Sequence, residues 1–320
     1  MPSERISKDK RAMILAGICE GMPMNAVTRI LKVGSKTVKR VIEETGEALA
    51  IYMNRNFTDI PCARLELDEQ WQFVGIHGQR MTKEEKKTQT GKGDFWLWCG
   101  IDADTKLVVS YRIGRRDWNT GEDFIRDLSE RVTGPVQIAT DNFGVYERCV
   151  RAYFTHPGTS HGTETKVFSN TAWSPDSYQQ DRKNGVAKVV KSERKAVTGN
   201  PHLGRLTTSH IERAFLTVRQ ELKRYQRLGL GYSKDLRMHK LATALVLGVY
   251  NLVRKHKTIG TTPAVAAGIE EKAWTMEMVV EMTEAYWQPK NEEAARVKAA
   301  ARRAAEDDVF TQALAAEYNH

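Results

Sequence analysis

The hydrophobic pattern between residues 65 and 153 constrains the fold more tightly than any other feature of the chain. Three segments that alternate, or that are rich in aromatic and β-branched residues, are predicted to be strands: 65–76, 95–101 and 106–113. After them, the apolar segment 135–140 predicts a fourth strand between helical segments at 123–131 and 144–153. The predicted order is therefore three strands, a helix, a strand and a helix.

Three antiparallel strands followed by α/β crossovers are the element order of a ribonuclease H-like fold. We therefore predict an α/β domain with a ribonuclease H-like mixed sheet and flanking helices over residues 65–275. Residues 155–208 show only weak strand signals, at 166–168 and 186–190, and are interpreted as an insertion in this domain. One apolar stripe then predicts a buried helix, through Ile211, Ala214, Phe215, Val218 and Leu222.

The first 50 residues predict an all-α helix-turn-helix domain. Two apolar-periodic segments are followed by a break at Val33 and Gly34, and Ser35 is a suitable N-cap for a third helix ending near Thr45. In that motif the third helix enters the major groove, so three exposed basic residues are candidate DNA contacts: Lys36, Lys39 and Arg40. An ordinary three-helix packing domain is the alternative. Residues 51–64 are expected to be a linker, and residues 276–320 a charged helical tail.

Composition narrows the class of protein. The 320 residues carry a formal charge of +9 and 41% are hydrophobic, while the longest nearly unbroken apolar run, 241–253, is shorter than the roughly 20 residues that span a bilayer. A transmembrane protein is therefore not expected, and the N-terminus lacks the apolar region of a secretory signal. The four cysteines stand singly without a CxxC pair, which argues against a disulfide scaffold or a zinc finger and favours a cytoplasmic protein.

The positive charge is concentrated in one part of the chain. Residues 182–240 contain 15 Lys and Arg but only 4 Asp and Glu, a local charge of +11 that exceeds that of the whole chain. Such a stretch indicates a polyanionic partner, most often nucleic acid, although it can also be a solvated surface.

Three acidic residues stand where elements of the predicted domain would converge. Asp68 lies in the middle of the first strand, Asp141 follows the fourth strand, and Glu212 begins the helix with the apolar stripe but lies off that stripe. Each has a structural alternative: a cross-strand acceptor, a turn or cap, and a residue favoured by the helix dipole. Together they offer hard oxygen ligands for Mg²⁺ or Mn²⁺, and two such ions can clamp a phosphate.

The stretches LELDEQWQFVG, ATDNFGVY and TSHIERAFLTVRQELKRYQR resemble the insertion-sequence transposases of the IS-one type, within the DDE superfamily. The later TTPAVAAGI followed by Trp274 is similar to their C-terminal signature, so the likeness covers about residues 64–275. The resemblance implies a ribonuclease H-like catalytic domain with Asp68, Asp141 and Glu212 as catalytic metal ligands. It also implies cutting of transposon ends and joining of their 3′-hydroxyls to target DNA, by proteins that generally act as multimers.

Two departures from the family pattern accompany the resemblance. The spacing from Asp141 to Glu212 is 71 residues, longer than is common in the integrase branch, and the N-terminal zinc-binding module of some relatives is absent. Glu193, within KSERK, is the rival third acid, and Glu66 is a further candidate. Glu212 is preferred because a helix with a buried stripe fixes its direction.

The sequence thus predicts a two-metal DNA transposase that acts on double-stranded DNA as a homo-oligomer, associated with the nucleoid, without a membrane or small-molecule substrate. Beside Glu212, three basic residues are candidate phosphate contacts: Arg213, Arg219 and Lys223. A non-catalytic DNA-binding regulator and a ribonuclease H-like nuclease are the alternatives.

Overall fold

A computed structural model describes residues 6–168, 189–225 and 231–317. Its helices are α1 (Lys8–Cys19), α2 (Met24–Leu31), α3 (Ser35–Asn56), α4 (Lys83–Thr88), α5 (Trp118–Arg131), α6 (Gly144–Tyr153), α7 (Ser209–Glu221), α8 (Leu236–Leu252), α9 (Pro263–Ala266) and α10 (Met276–Glu317). Its strands are β1 (Ile60–Pro61), β2 (Arg64–Val74), β3 (Gly93–Asp102), β4 (Val108–Gly114), β5 (Val132–Thr133), β6 (Gln137–Thr140), β7 (Ser160–Phe168) and β8 (Val189–Thr198).

Six of these strands form one mixed sheet in the order β4-β3-β2-β6-β7-β8. β4, β3 and β2 are antiparallel, β6 runs parallel to β2, β7 runs parallel to β6, and β8 returns antiparallel. The mixed sheet with flanking helices agrees with the prediction and is consistent with a ribonuclease H-like fold. β1 and β5 form a separate, short parallel pair.

Helices cover both faces of the sheet. Two consecutive residues of β2 show this, since they point to opposite faces and lie against different helices. A Cβ added at Gly100 on β3 would touch both Leu67 of β2 and Leu128 of α5. Glu66, the preceding residue of β2, contacts the start of α7 instead. The strand is therefore central, and its polar residues need partners on both faces.

The region 155–208, which was interpreted as an insertion, supplies two strands of the sheet. β7 pairs with β6, and β8 forms the sheet edge beside it, while residues 169–188, with much of the expected signal at 186–190, lie outside the described residues. Hydrophobic periodicity gave only a weak strand signal for β7, because the buried side chains of this strand are polar. His161 is buried and lies within hydrogen-bond distance of Thr140, and Glu164 is buried and accepts the backbone N–H of Thr208.

The N-terminal helices pack directly on the rest of the molecule. The third helix, α3, was expected to end near Thr45 but continues to Asn56, so the start of the expected 51–64 linker is helical. α3 packs along α8, and α10 contacts α1 and α3. Gly46 allows the close approach of α3, since a Cβ there would lie 2.3 Å from the carbonyl oxygen of Leu241 on α8.

The four cysteines are buried, and none is joined to another by a disulfide bond in the structure. In the parts of the chain that the structure covers, no helix combines the length and apolar character needed to cross a membrane.

Candidate metal centre

Two predicted acids lie side by side where β2 and β6 run parallel. Glu66 on β2 pairs with Ala139 on β6, and continuing this register by two residues places Asp68 opposite Asp141. β6 ends at Thr140, and the Oδ1 atom of Asp141 accepts the backbone N–H of Phe143 at 2.9 Å, in the turn that leads into α6. Asp141 therefore stands at the carboxyl end of a parallel strand, where ligands bind in open α/β sheets.

A third carboxylate joins these two. Asp68, Glu69 and Asp141 each offer a carboxylate oxygen, and the three oxygens lie within 4.8 Å of one another. Burial raises the pKa of Asp68 to about 8, with further contributions from the charges of Glu69, Asp141 and Glu212. Burial and the neighbouring Asp141 also raise the pKa of Glu69. So much negative charge in one place fits the donor set of a divalent cation, whose binding favours the ionised carboxylates.

Glu212 reaches the same region from the first turn of α7. Its charge makes the smallest of the contributions that raise the pKa of Asp68, and its carboxylate is not one of the three whose oxygens lie within 4.8 Å of one another. Its Oε1 atom accepts the hydroxyl of Thr208 at 2.8 Å and pairs with the ammonium group of Lys166 on β7. The side chain is 46% exposed, so the carboxylate is accessible although its charge is partly neutralised.

The direction of α7 is set by Glu66, which is buried on β2. Its Oε2 atom accepts the backbone N–H groups of His210 at 2.8 Å and Ile211 at 3.1 Å, and its Oε1 atom contacts the His210 ring at 2.5 Å. The N-cap residue, Thr208, accepts no backbone N–H of the helix with its side chain, so Glu66 provides that function from the sheet. Both Glu66 oxygens are thus engaged in holding the helix.

Glu193, the rival third acid, lies on the edge strand β8. Its carboxylate pairs with Lys191 at 2.8 Å, and this bond lowers its pKa. It contributes no oxygen to the group formed by Asp68, Glu69 and Asp141. Glu212 is likewise outside that group, and it differs from Glu193 in its contribution to the raised pKa of Asp68 and in its place on the helix that Glu66 fixes to β2.

Two residues at this site were not selected from the sequence. Glu69 falls on the same face of β2 as Leu67 and Trp71, and its side chain is only 3% exposed, yet it belongs to the acidic cluster. Arg116, between β4 and α5, pairs with Glu69 and lies 3.7 Å from the Oδ2 atom of Asp141. A carboxylate on the buried face of a central strand requires a polar or charged partner. The position of Glu69 among apolar residues was therefore the sequence signal that could have identified it.

The predicted DNA-contacting residues lie on two surfaces. On α3, Lys36, Lys39 and Arg40 are exposed, and the latter two form ion pairs one helical turn along with Glu43 and Glu44. Arg213 is exposed on α7, whereas Arg219 is partly buried and lies 3.4 Å from the side-chain oxygen of Gln70. Lys223 begins a short 3₁₀ turn after α7.

Comparison with known proteins gives distant structural likenesses. No protein-family model matches the chain, and no curated protein matches its sequence. The piggyBac transposase synaptic complex with hairpin DNA is similar with a TM-score of 0.40 and 13% identity, over 89% of this chain and 72% of that chain. The Mos1 strand transfer complex has a TM-score of 0.22 and 12% identity, over 77% of each chain. The Mos1 mariner paired-end complex with Mn has a TM-score of 0.21 and 12% identity, over 77% of this chain and 78% of that chain.

Proposed function

We propose that this chain is a DDE-type DNA transposase, of the IS-one type that its sequence resembles, which cleaves transposon ends and joins their 3′-hydroxyls to target DNA. The observation that carries the proposal is the convergence of Asp68 and Asp141 on neighbouring parallel strands, with the first turn of α7, which carries Glu212, held against β2 by Glu66. Asp68 and Asp141 come from distant parts of the chain and have oxygens within 4.8 Å of each other, and Glu66 holds the start of the helix that carries Glu212 against the same strand.

Asp68, Asp141 and Glu212 would hold two Mg²⁺ or Mn²⁺ ions. When bound, such a pair activates the attacking oxygen and stabilises the leaving oxygen of a phosphoryl transfer. The protein contributes a partly buried carboxylate at Asp68, on a central strand, and an accessible one at Glu212, on the first turn of α7. Glu212 would exchange its ion pair with Lys166 for a ligand bond.

The basic surfaces would hold the DNA. Arg213, Arg219 and Lys223 lie on or directly after the helix that carries Glu212, so phosphates bound there would be close to the acids. In the proposed helix-turn-helix domain, Lys36, Lys39 and Arg40 would contact the transposon end. Synapsis of two ends requires more than one copy of the chain, and we propose that it acts as a homo-oligomer.

The direct test is incubation of the purified full chain with Mg²⁺ and labelled duplexes that carry the sequences flanking its gene. We expect nicks that expose 3′-hydroxyls, followed by joined products. Tight binding without nicks in either Mg²⁺ or Mn²⁺ would contradict the proposal and favour a DNA-binding regulator. Cleavage of RNA–DNA hybrids without any strand joining would contradict it in favour of a nuclease.

A further inference from the structure

Arg116 makes three contacts with the acidic cluster and its surroundings. Its Nε atom donates to the Oε1 atom of Glu69, and its guanidinium lies 3.7 Å from the Oδ2 atom of Asp141. The guanidinium carbon also sits 3.9 Å from the centre of the Phe143 ring. A cation that stacks on an aromatic ring while it pairs with a carboxylate is held in one orientation.

Glu69 differs from the other acids of the cluster in how its oxygens are used. Its Oε1 atom accepts from Arg116, and its Oε2 atom accepts the buried hydroxyl of Tyr146 at 2.6 Å. The side chain is 3% exposed, whereas that of Asp141 is 41% exposed. Both Glu69 oxygens therefore have partners within the protein, and a metal ion is not needed to satisfy them.

The backbone on either side of Arg116 is fixed. The indole N–H of the buried Trp98 donates to the carbonyl oxygen of Arg115 at 3.1 Å, and the Arg115 guanidinium donates to the carbonyl of Lys92 at 2.9 Å. On the other side, Asp117 caps α5 by accepting the backbone N–H of Thr120 at 2.9 Å. Arg116 is thus presented from a rigid connection between β4 and α5.

We propose that Arg116 is a substrate-binding residue that contacts a DNA phosphate beside the metal-binding carboxylates, and that Glu69 and Tyr146 are positioning residues for it rather than metal ligands. The inference rests on the proposed function, because it assigns the substrate contact within the same site. Glu69 holds the guanidinium through Nε, and the side chain remains 38% exposed next to Asp141. A guanidinium presented in this way has N–H donors for two phosphate oxygens.

Metal binding separates Glu69 from the acids that would be ligands, and it needs no DNA. We would titrate Mn²⁺ into the full chain and into the Glu69→Gln, Tyr146→Phe and Asp141→Asn variants, using the spectrum of free Mn²⁺ as the readout. Asp141→Asn should bind Mn²⁺ at least about tenfold more weakly than wild type, whereas Glu69→Gln and Tyr146→Phe should lose clearly less affinity, and to a similar extent. Loss of Mn²⁺ binding by Glu69→Gln equal to that of Asp141→Asn, while Tyr146→Phe binds like wild type, would make Glu69 a metal ligand and overturn the assignment.

DNA affinity tests the role of Arg116 itself. Binding of the flanking-sequence duplex would be measured in Ca²⁺ for Arg116→Gln, Arg116→Lys and the control Arg112→Gln. Arg112 is 42% exposed and also ion-paired, but with Asp123 on α5, away from the acids. We expect about tenfold weaker binding for Arg116→Gln, partial recovery for Arg116→Lys and no change for Arg112→Gln.

In Mg²⁺, the same loss should appear mainly in KM for the duplex, with a smaller effect on kcat. Equal binding and cleavage by Arg116→Gln and Arg112→Gln would overturn the Arg116 assignment and leave the transposase proposal intact. Conversely, a wild-type chain that binds the duplex but never cleaves it would overturn the proposed function, while the affinity of Arg116→Gln would still decide whether Arg116 contacts DNA.

Discussion

The buried carboxylate of Glu66 on β2 accepts the backbone N–H of Ile211 at 3.1 Å and so fixes the N-terminus of α7 to the centre of the sheet. Glu212 follows Ile211 directly, so this bond determines where the third acid stands relative to Asp68. A charged acceptor at a helix N-terminus also complements the helix dipole. The residue that positions the candidate site is therefore two positions away from Asp68 on the same strand.

Replacing Glu66 by Gln should lower both stability and activity. The amide keeps the shape of the side chain but loses the charge that strengthens its bonds to the helix, at a cost of about 1–2 kcal/mol in the free energy of unfolding. Urea unfolding measures this cost, with Glu147→Gln as the control. Glu147 suits this purpose because it is exposed on α6, where its carboxylate pairs with Arg151. An unfolding midpoint equal to that of the control would show that Glu66 does not hold α7.

Gly46→Ala should destabilise the protein because α3 and α8 touch at that point. The added Cβ would lie 2.3 Å from the carbonyl oxygen of Leu241, so the helices must move apart, at a cost of about 1–3 kcal/mol. Gly144→Ala, at the first residue of α6, meets no atom within 4 Å and should leave stability unchanged or slightly raised. Thermal unfolding distinguishes them: equal Tm values would mean that the N-terminal helices do not pack on α8 as described.

Glu221→Gln should change the pH dependence of stability. Burial raises the pKa of Glu221 to about 7, and the ion pair with Arg254 at 2.7 Å offsets this only in part. The folded protein therefore binds a proton at Glu221 more tightly than the unfolded chain does. The contribution of Glu221 to wild-type stability consequently falls as the pH rises from about 4.5 to about 7, and it stays constant at higher pH.

The neutral glutamine lacks this penalty at every pH. The free energy of unfolding of Glu221→Gln, relative to wild type, should therefore be larger at about pH 8 than at about pH 5, by on the order of 3 kcal/mol. Denaturant unfolding at the two pH values measures the difference, and other titrating groups cancel because they are common to both proteins. A difference that is the same at both pH values would mean that Glu221 is not a buried acid with a raised pKa.

Arg213→Gln should weaken DNA binding and reduce its dependence on salt. If the exposed Arg213 contacts one phosphate, its removal lowers the slope of log affinity against log salt by about 1. Binding of the flanking-sequence duplex at several salt concentrations gives the slope, and Arg126→Gln, an exposed arginine paired with Asp123 on α5, is the control. Identical slopes for the two variants would remove Arg213 from the DNA-binding surface.

The sequence predicted those parts of the fold that depend on apolar periodicity. β2, β3, β4 and β6 carry apolar or aromatic patterns, and the predicted helix between β4 and β6 indicated the crossover that makes β6 parallel to β2. β7 has the weak apolar pattern of an insertion because its buried side chains are polar, as at His161 and Glu164. The hydrogen-bond partners of these side chains come from elsewhere in the chain. Local pattern cannot reveal such distant partners.

The candidate site was predicted to a similar extent. Asp68 and Asp141 could be found because each occupies a position that is unusual for an acid unless it has a function. Glu69 also occupies an unusual position for an acid, on the buried face of a central strand, but its partner Arg116 lies 47 positions away in the chain. Arg116 and Lys166 could not be selected in this way, since their significance lies in contacts with residues 25 and 46 positions away. The pairing of Glu212 with Lys166 likewise becomes visible only when β7 lies beside α7.

Cleavage by Glu212→Gln, compared with Glu193→Gln, tests the central claim most directly. Both glutamates lie in the same basic part of the chain and both pair with a lysine, but only Glu212 contributes to the raised pKa of Asp68. With labelled flanking-sequence duplex in Mg²⁺, Glu212→Gln should cleave at least about a hundredfold more slowly than wild type, whereas Glu193→Gln should cleave at the wild-type rate. Cleavage by Glu212→Gln at the wild-type rate would contradict the assignment of Asp68, Asp141 and Glu212 as the metal-binding site.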